Sequence, residues 1–316
     1  MLVSTFHYPS LAQYRLAWQN IDSLNRSLQV GRAICIRKFE GTLPSGKKIA
    51  AYLAVIKLKS KRLQIASVPA QEGRGLLLTS ELSHLHQSLV AINGGYFTFR
   101  PDTAQQGRSS VSLLVHQGKL ISPHLLPVFR KDSAGNSCAL YPTRSAVGFT
   151  GRRVRFAWTF TDSAGTTWAY DKPNPFTTQP LQQNPPTLFF PTTPYQWQAS
   201  EIMGGGPMLI WKGTVFITDK EEWFTQIAGT HPRTAVGLDR KGRLLLLVVD
   251  GRQSGYSEGV TFSELAAIFL GLKANYAINL DGGGSSTMVV KGKVINRPSD
   301  KNGERKVASI LAVIRK

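Results

Sequence analysis

The chain has 316 residues, of which 42% are hydrophobic and 9% aromatic. That is ordinary for a folded globular protein and excludes a disordered or low-complexity one. Its 38 Lys and Arg outnumber 19 Asp and Glu, for a net charge of +19. Such a field attracts polyanions such as nucleic acid, an anionic membrane or wall, or phosphorylated sugars, without choosing among them. The basic residues are dispersed, and no zinc-finger, RRM or KH signature is present, so no nucleic-acid partner is expected. No stretch approaches the roughly 18 apolar residues of a membrane-spanning helix.

The first thirty residues read as an N-terminal helical extension (1–30), with apolar residues at three- and four-residue steps in LAQYRLAWQNIDSLNRSL. The extreme N-terminus lacks a positive segment ahead of an apolar core, so it does not read as a signal peptide. Export to a periplasmic or extracellular place is expected only if a leader has been removed. From residue 31 to 316 the pattern is that of one catalytic domain. AICIRKFEG, KKIAAYLAVIKLKS and RLQIASVPA read as strands, and SELSHLHQSL as a short helix feeding the buried strand VAINGGYF. GRRVRF alternates basic and apolar residues like a strand with one wet face. Residues 171–198 are dense in proline and read as a surface insertion near a cleft, because proline cannot donate ladder hydrogen bonds. The last third is the most regular. TAVGLDRKGRLLLLVVDG is two strands around a turn, and Thr261-x-x-Glu264 is a capping-box pattern opening a helix. Next come the strand YAINLDGG, the hairpin TMVVKGKVIN and a final buried strand. The fold expected is α/β (α+β): a mixed, largely antiparallel sheet with packed helices. Cys35 and Cys138 lack metal-ligand spacing, which leaves one disulfide or two free thiols open.

SELSHLHQSLVAINGG and SELAAIFLGLKANYAINLDGG both read helix, strand, Ala-Ile-Asn, glycines. Asn93 and Asn279 are therefore expected at equivalent strand ends. Four glycine turns follow strand patterns: Asn93-Gly94-Gly95, Gly204-Gly205-Gly206, Asp250-Gly251-Arg252 and Asp281-Gly282-Gly283-Gly284. Such turns let backbone N–H groups face a ligand with no Cβ in the way. Familiar motifs fail. GGGSST lacks the P-loop lysine, the third glycine of a dinucleotide site is missing, and the G-x-S-x-G elbow is broken at its last position. Neither HExxH nor CxxC occurs, so no metal and no cofactor is expected. Asp250 and Asp281 each end an apolar strand, where a carboxylate is costly unless hydrogen-bonded or paired. Capping of the following glycine N–H groups is the plainer explanation. Arg233, Arg252 and Arg305 flank the turns and suit bidentate contact with phosphate.

Taken in order, AINGGYF, GGGPMLIWKG, HPRTAVGLD, VVDGRQ, TFSELA, AINLDGGGSSTMVVKGKVINRPSD and ERKVASILAVI resemble the phosphodiester glycosidase domain family. The resemblance is dense from about residue 202 onward, patchy over about 50–119, and absent elsewhere. It implies hydrolysis of the sugar C1–O bond of a sugar-1-phosphodiester, N-acetylglucosamine being the sugar in view. A phosphate leaving group is a weak base, so one carboxylate and an anion cradle can replace the usual two carboxyl groups. Asp281 is expected as nucleophile or base, with Asp250 as partner. Arg233, with Arg252 or Arg305 behind it, is expected on the phosphate. Asn93, Asn279 and Ser285 would orient sugar or leaving oxygen, and Gly282 and Gly283 would let the substrate reach the backbone. His231 and Gly94 complete the substrate-binding set; Glu258 and Glu264 are weaker carboxylate alternatives. Val260 stands where the family usually has a methionine. Two other readings keep the same residues: a binding protein for anionic glycans or wall polymers, and a metal-dependent phosphodiesterase with Asp250 and Asp281 on a cation.

Overall fold

The computed structural model describes residues 14–70, 75–99, 110–124 and 127–316. The start of the N-terminal extension, residues 1–13, lies outside them. Strands make up 44% of the structure and helices only 11%. The expected α/β class is therefore wrong: this is a mostly β protein, with three α-helices among the described residues. The apolar periodicity of the N-terminal stretch was misleading. Its described part gives one six-residue helix, Asp22–Ser27, and a two-residue strand, Gln19–Asn20, on the edge of a sheet. Two further hairpins, Val128–Lys131 with Ser137–Leu140 and Thr177–Thr178 with Leu181–Gln182, lie where no clear pattern was read.

Three antiparallel sheets form the body. The eight-stranded sheet runs in spatial order Gln19–Asn20, Ile34–Thr42, Lys48–Lys57, Arg243–Val249, Arg233–Asp239, Ala274–Asn279, Met208–Trp211, Thr214–Val215. A seven-stranded sheet centres on Arg153–Thr161, Arg144–Thr150 and Glu201–Gly204, and a five-stranded sheet on Val90–Asn93 and Ser309–Arg315. Lys48–Lys57 is buried at eight consecutive positions, which explains its unbroken apolar run: both faces of this strand are covered. Even-numbered residues (Ala50, Tyr52, Ala54, Leu244, Leu246, Val248) meet Ile92, Leu311, Val147 and Trp158 of the other two sheets in one core. Odd-numbered ones (Leu53, Leu245, Leu247) meet the helix Phe262–Gly271 through Leu265, Ile268 and Phe269. Each fully buried aliphatic side chain in these layers contributes about 1.5–3 kcal/mol relative to exposure. Thr261 caps that helix, accepting from Glu264 N while the Glu264 carboxylate accepts from Thr261 N at 2.9 Å.

The antiparallel register gathers one edge. Arg233, the first residue of its strand, pairs with Val249, and Ala235 pairs with Asn279. The start of one central strand thus meets the ends of both neighbours. The end of Val90–Asn93 comes to the same place, because Gly94 O accepts from Asp281 N at 3.2 Å.

The segment 171–198 is tied down along its length. Asn174, fully buried, donates to Tyr141 O and Asn184 O, and Gln183 donates to Glu221 O. Trp197 packs beneath Gly148, where a Cβ would strike its ring. Phe189 is 86% exposed and carries none of this anchoring. Cys35 and Cys138 are both free thiols.

Candidate active site

The two Ala-Ile-Asn-glycine turns are bonded to each other. Asn93 Nδ2 donates to Asp281 O at 2.7 Å. Its Oδ1 accepts from Thr234 Oγ1 at 2.6 Å and Thr287 N at 3.1 Å. Asn93 therefore braces the Asp281 turn from below, fully buried and with its side chain spent on protein partners. Asn279 is different. Its Nδ2 donates to Tyr96 Oη at 2.9 Å and Gly206 O at 3.0 Å, but its Oδ1 is buried with no partner. Ser285 Oγ, Ser286 Oγ and Thr287 Oγ1 are likewise buried and unpartnered. Buried polar atoms without partners are uncommon and cost about 1–3 kcal/mol each. Four lie within nine residues of this one turn, polar groups that the hydrogen bonds of the described residues leave unmet.

Asp281 follows the strand Ala274–Asn279 by two residues and retains intermediate exposure. Its carboxyl lies deep enough that burial dominates: the pKa is pushed up to about 6, held from rising further by Ser285, the Gly282 N–H and Arg305. Gly282 N donates to its Oδ1 at 2.9 Å. The Ser285 hydroxyl lowers the pKa by turning toward the carboxylate, through a contact short of regular hydrogen-bond geometry. The glycines have separate reasons. A Cβ on Gly282 would meet Pro232 O, and one on Gly284 would collide with the Asp300–Arg305 pair. Gly283 has φ +61°, a left-handed conformation that favours glycine, and a Cβ there would press on the Arg252 guanidinium. Gly94 is packed against Ser309 and Met203 and lends its carbonyl to Asp281.

Asp250 is built for another task. It is 1% exposed. Its carboxylate accepts from Asn296 Nδ2 at 2.8 Å, Arg297 N at 3.0 Å and Tyr256 Oη at 3.1 Å. Burial pushes its pKa up to about 6 against these bonds and the Arg297 charge. Every oxygen is engaged, and the effect is to pin the 296–297 loop to the strand end.

The cations divide in the same way. Arg305 is held bidentately by Asp300 at 2.7 and 2.8 Å. Arg233, 2% exposed, donates from Nε to Val260 O and from Nη2 to Ile227 O and Gly229 O, over the Phe262 ring at 4.1 Å. Burial lowers its pKa to about 10, with Tyr96 opposing and Arg252 adding to the effect. Its Nη1 remains uncommitted among the described residues. Arg252 is exposed and contacts His231 Nδ1 through Nη2 at 3.2 Å. Burial, then Arg233 and Arg252, hold His231 below its usual pKa. It is therefore a neutral imidazole at pH 7, accepting from Arg252 at Nδ1 and carrying its proton on Nε2.

Three neighbours escaped the sequence reading. Tyr96 stacks on Phe224 at 4.9 Å and donates to Gly206 O at 2.8 Å. Its hydroxyl pKa is raised by burial and then by Asp281, with Arg233 and Arg144 opposing. Arg144 stacks on the other aromatic, Phe224, at 4.7 Å. Tyr96 was visible in AINGGYF, immediately after the glycines; Arg144 and Phe224 had no local signal. The weaker alternatives sit in structural roles. Glu264 bonds Ser45, Lys47 and Thr261, and Glu258 is exposed, accepting from Lys48 N. Among the described residues no three of His, Cys, Asp and Glu come together as metal ligands.

One carboxylate beside unpartnered hydroxyls, with a basic flank, is the outline of a hydrolase for an anionic substrate. The chain belongs to the phosphodiester glycosidase family, whose model matches residues 86–314. Its curated relatives include the cattle N-acetylglucosamine-1-phosphodiester alpha-N-acetylglucosaminidase, 39% identical over 113 residues, or 32% of this chain and 21% of that protein. The human enzyme of the same name is 35% identical over 111 residues, with the same coverage. An uncharacterized prophage-derived protein of Bacillus subtilis, YomE, is 43% identical over 83 residues, 26% of this chain and 13% of that one. The matched stretch thus spans only about a fifth or less of these relatives' own length. Among solved structures, the zebrafish catalytic domain of that enzyme, auto-inhibited by its pro-peptide, superposes with a TM-score of 0.59 at 20% identity. The overlap covers 90% of this chain and 83% of that one. A hypothetical protein from Synechocystis gives 0.60 at 18% identity, over 91% of this chain and 63% of its own. These share the fold.

Proposed function

We propose that the chain hydrolyses the C1–O bond of a sugar-1-phosphodiester, releasing free sugar and a phosphomonoester. The observation that carries the reading is Asp281: a carboxylate on a partly exposed residue, elevated to about 6 yet mostly ionised at pH 7, beside the Ser285 hydroxyl and two residues from the unpartnered Asn279 Oδ1. The family membership and the names of the curated relatives point to the same reaction, with N-acetylglucosamine as the sugar.

Asp281 attacks the anomeric carbon or takes a proton from the water that does. The C1–O bond breaks with its electron pair going to the phosphate oxygen; water supplies the hydroxyl to C1. The departing phosphomonoester needs no proton, so no second carboxylic acid is required. Arg252, the His231 Nε2–H and Arg233 Nη1 supply the anion cradle. Asn279 Oδ1 accepts from a sugar hydroxyl, and Tyr96 fixes the Asn279 amide. Asp250 acts as a positioning residue through the 296–297 loop, and Arg305 through Asp300 and the Asp281 charge. The high net charge suits a periplasmic or wall-facing location. Turnover of N-acetylglucosamine-α-1-phosphate methyl diester tests the reaction. Free sugar with methyl phosphate supports it; sugar 1-phosphate with methanol would mean P–O cleavage and refute it.

A further inference from the structure

Arg144 is a cation that the proposed reaction leaves unused. It opens the strand Arg144–Thr150, next to Ser145, whose carbonyl accepts from Gly205 N at 2.8 Å. That places it beside the Gly204–Gly206 turn, on the edge that carries Asn279. Its guanidinium lies over the Phe224 ring at 4.7 Å, and Phe224 stacks on Tyr96 at 4.9 Å and 25°. Tyr96 in turn accepts from Asn279 at 2.9 Å. The stack holds the guanidinium against the Phe224 ring.

A guanidinium offers five N–H donors in a rigid fork. The hydrogen bonds of the structure include none from the Arg144 side chain to a described residue, and its Nε is buried without a partner. Glu222, the carboxylate that acts on it most strongly, forms no ion pair with it. Glu222 is filled instead by Ser145, Thr218, Trp158 and Met208. Folding alone gives no reason to sink a cation beside an aromatic and leave its Nε without a partner among the described residues. A planar or tetrahedral oxyanion from a ligand would complete it.

We infer that Arg144 reads a second oxyanion of the substrate, a carboxylate or phosphoryl group lying on the Phe224 side of Tyr96, and so selects a doubly anionic diester. The inference rests on the proposed hydrolysis. Arg252, His231 and Arg233 flank the reacting phosphate; Arg144 lies instead on Phe224, which stacks on Tyr96 beside Asn279. The second anion is therefore carried on a different part of the substrate, either on the alcohol esterified to the phosphate or on the sugar.

Two matched pairs of compounds distinguish these sources. The first is the N-acetylglucosamine-α-1-phosphate diester of propanol against that of 3-hydroxypropanoate. The second is the propyl diester of N-acetylglucosamine against that of its uronic acid. Wild type should favour the charged member of one pair by about tenfold or more in kcat/KM, expressed in KM. In Arg144→Gln that ratio should fall to within about twofold, and Arg144→Lys should recover part of it. A merely structural arginine would lower both members of a pair alike and leave the ratio intact. That result, or a wild type with no preference in either pair, overturns the inference. If wild type turns over none of the four, the hydrolase reading fails separately. Calorimetric binding of the same compounds then decides the inference: a charged-over-neutral preference lost in Arg144→Gln supports it, and no preference overturns it.

Discussion

At the scale of single residues, the two strand-end aspartates are chemically alike and structurally opposite. Both have pKa values pushed up to about 6 by burial. Asp281 keeps access and sits among unpartnered hydroxyls; Asp250 has every oxygen bonded. Substitution should separate them. Asp281→Asn should lose at least about a thousandfold in kcat if Asp281 is nucleophile or base. It should also stabilise the fold. A carboxyl whose folded pKa exceeds its unfolded value near 3.8 binds more protons folded than unfolded, so ionising it costs stability as pH rises through 3.8 to 6. The full cost, about 2–3 kcal/mol, applies above about pH 6. Thermal melts of Asp281→Asn should therefore run above wild type at about pH 8 and converge with it near about pH 3.5. Asp250→Asn should go the other way, losing about 1–3 kcal/mol because a carboxamide N–H now faces donors. The same elevated pKa predicts that wild-type kcat/KM climbs through about pH 6 and levels off above it.

At the scale of elements, the site is made where strand ends meet glycine turns. Much of that was legible. Asn93-Gly94 and Asn279 to Gly283 do lie at strand ends in contact, because identical strand-turn grammar was written twice. The roles within the turns were not legible. Asn93 spends its amide bracing Asp281, while Asn279 leaves an oxygen unpartnered; the difference depends on Thr234 and Thr287, brought in by long-range pairing. Arg144 and Phe224 come from separate segments, with only the fold to join them. The expected fold class failed because much of the strand content lies in short hairpins, such as Val128–Lys131 with Ser137–Leu140, whose few residues carry no readable alternation. The turn packing gives its own prediction. Gly205 lies against the Asn279 carbonyl, a backbone atom that cannot swing aside. Gly205→Ala should cost about 1–3 kcal/mol in urea denaturation and lower activity with it. The exposed Gly255 has open space around it. Gly255→Ala there should affect activity far less, its positive φ costing about 1 kcal/mol of stability.

At the scale of the whole molecule, three sheets and one long helix hold a rigid edge, and a charge of +19 surrounds it. The field should draw an anionic diester to the site. Raising salt from about 20 to 300 mM shortens the Debye length to below about 10 Å and should lower kcat/KM several-fold while leaving kcat nearly unchanged. A kcat that fell in parallel would place the salt effect on the chemical step instead. The most direct test of the account remains the bond that breaks and the residue that breaks it. N-acetylglucosamine-α-1-phosphate methyl diester should be followed by phosphorus and proton NMR with wild type and Asp281→Asn in parallel. The account predicts free N-acetylglucosamine and methyl phosphate from wild type and neither from the variant. Sugar 1-phosphate among the products, or undiminished turnover by Asp281→Asn, would contradict it.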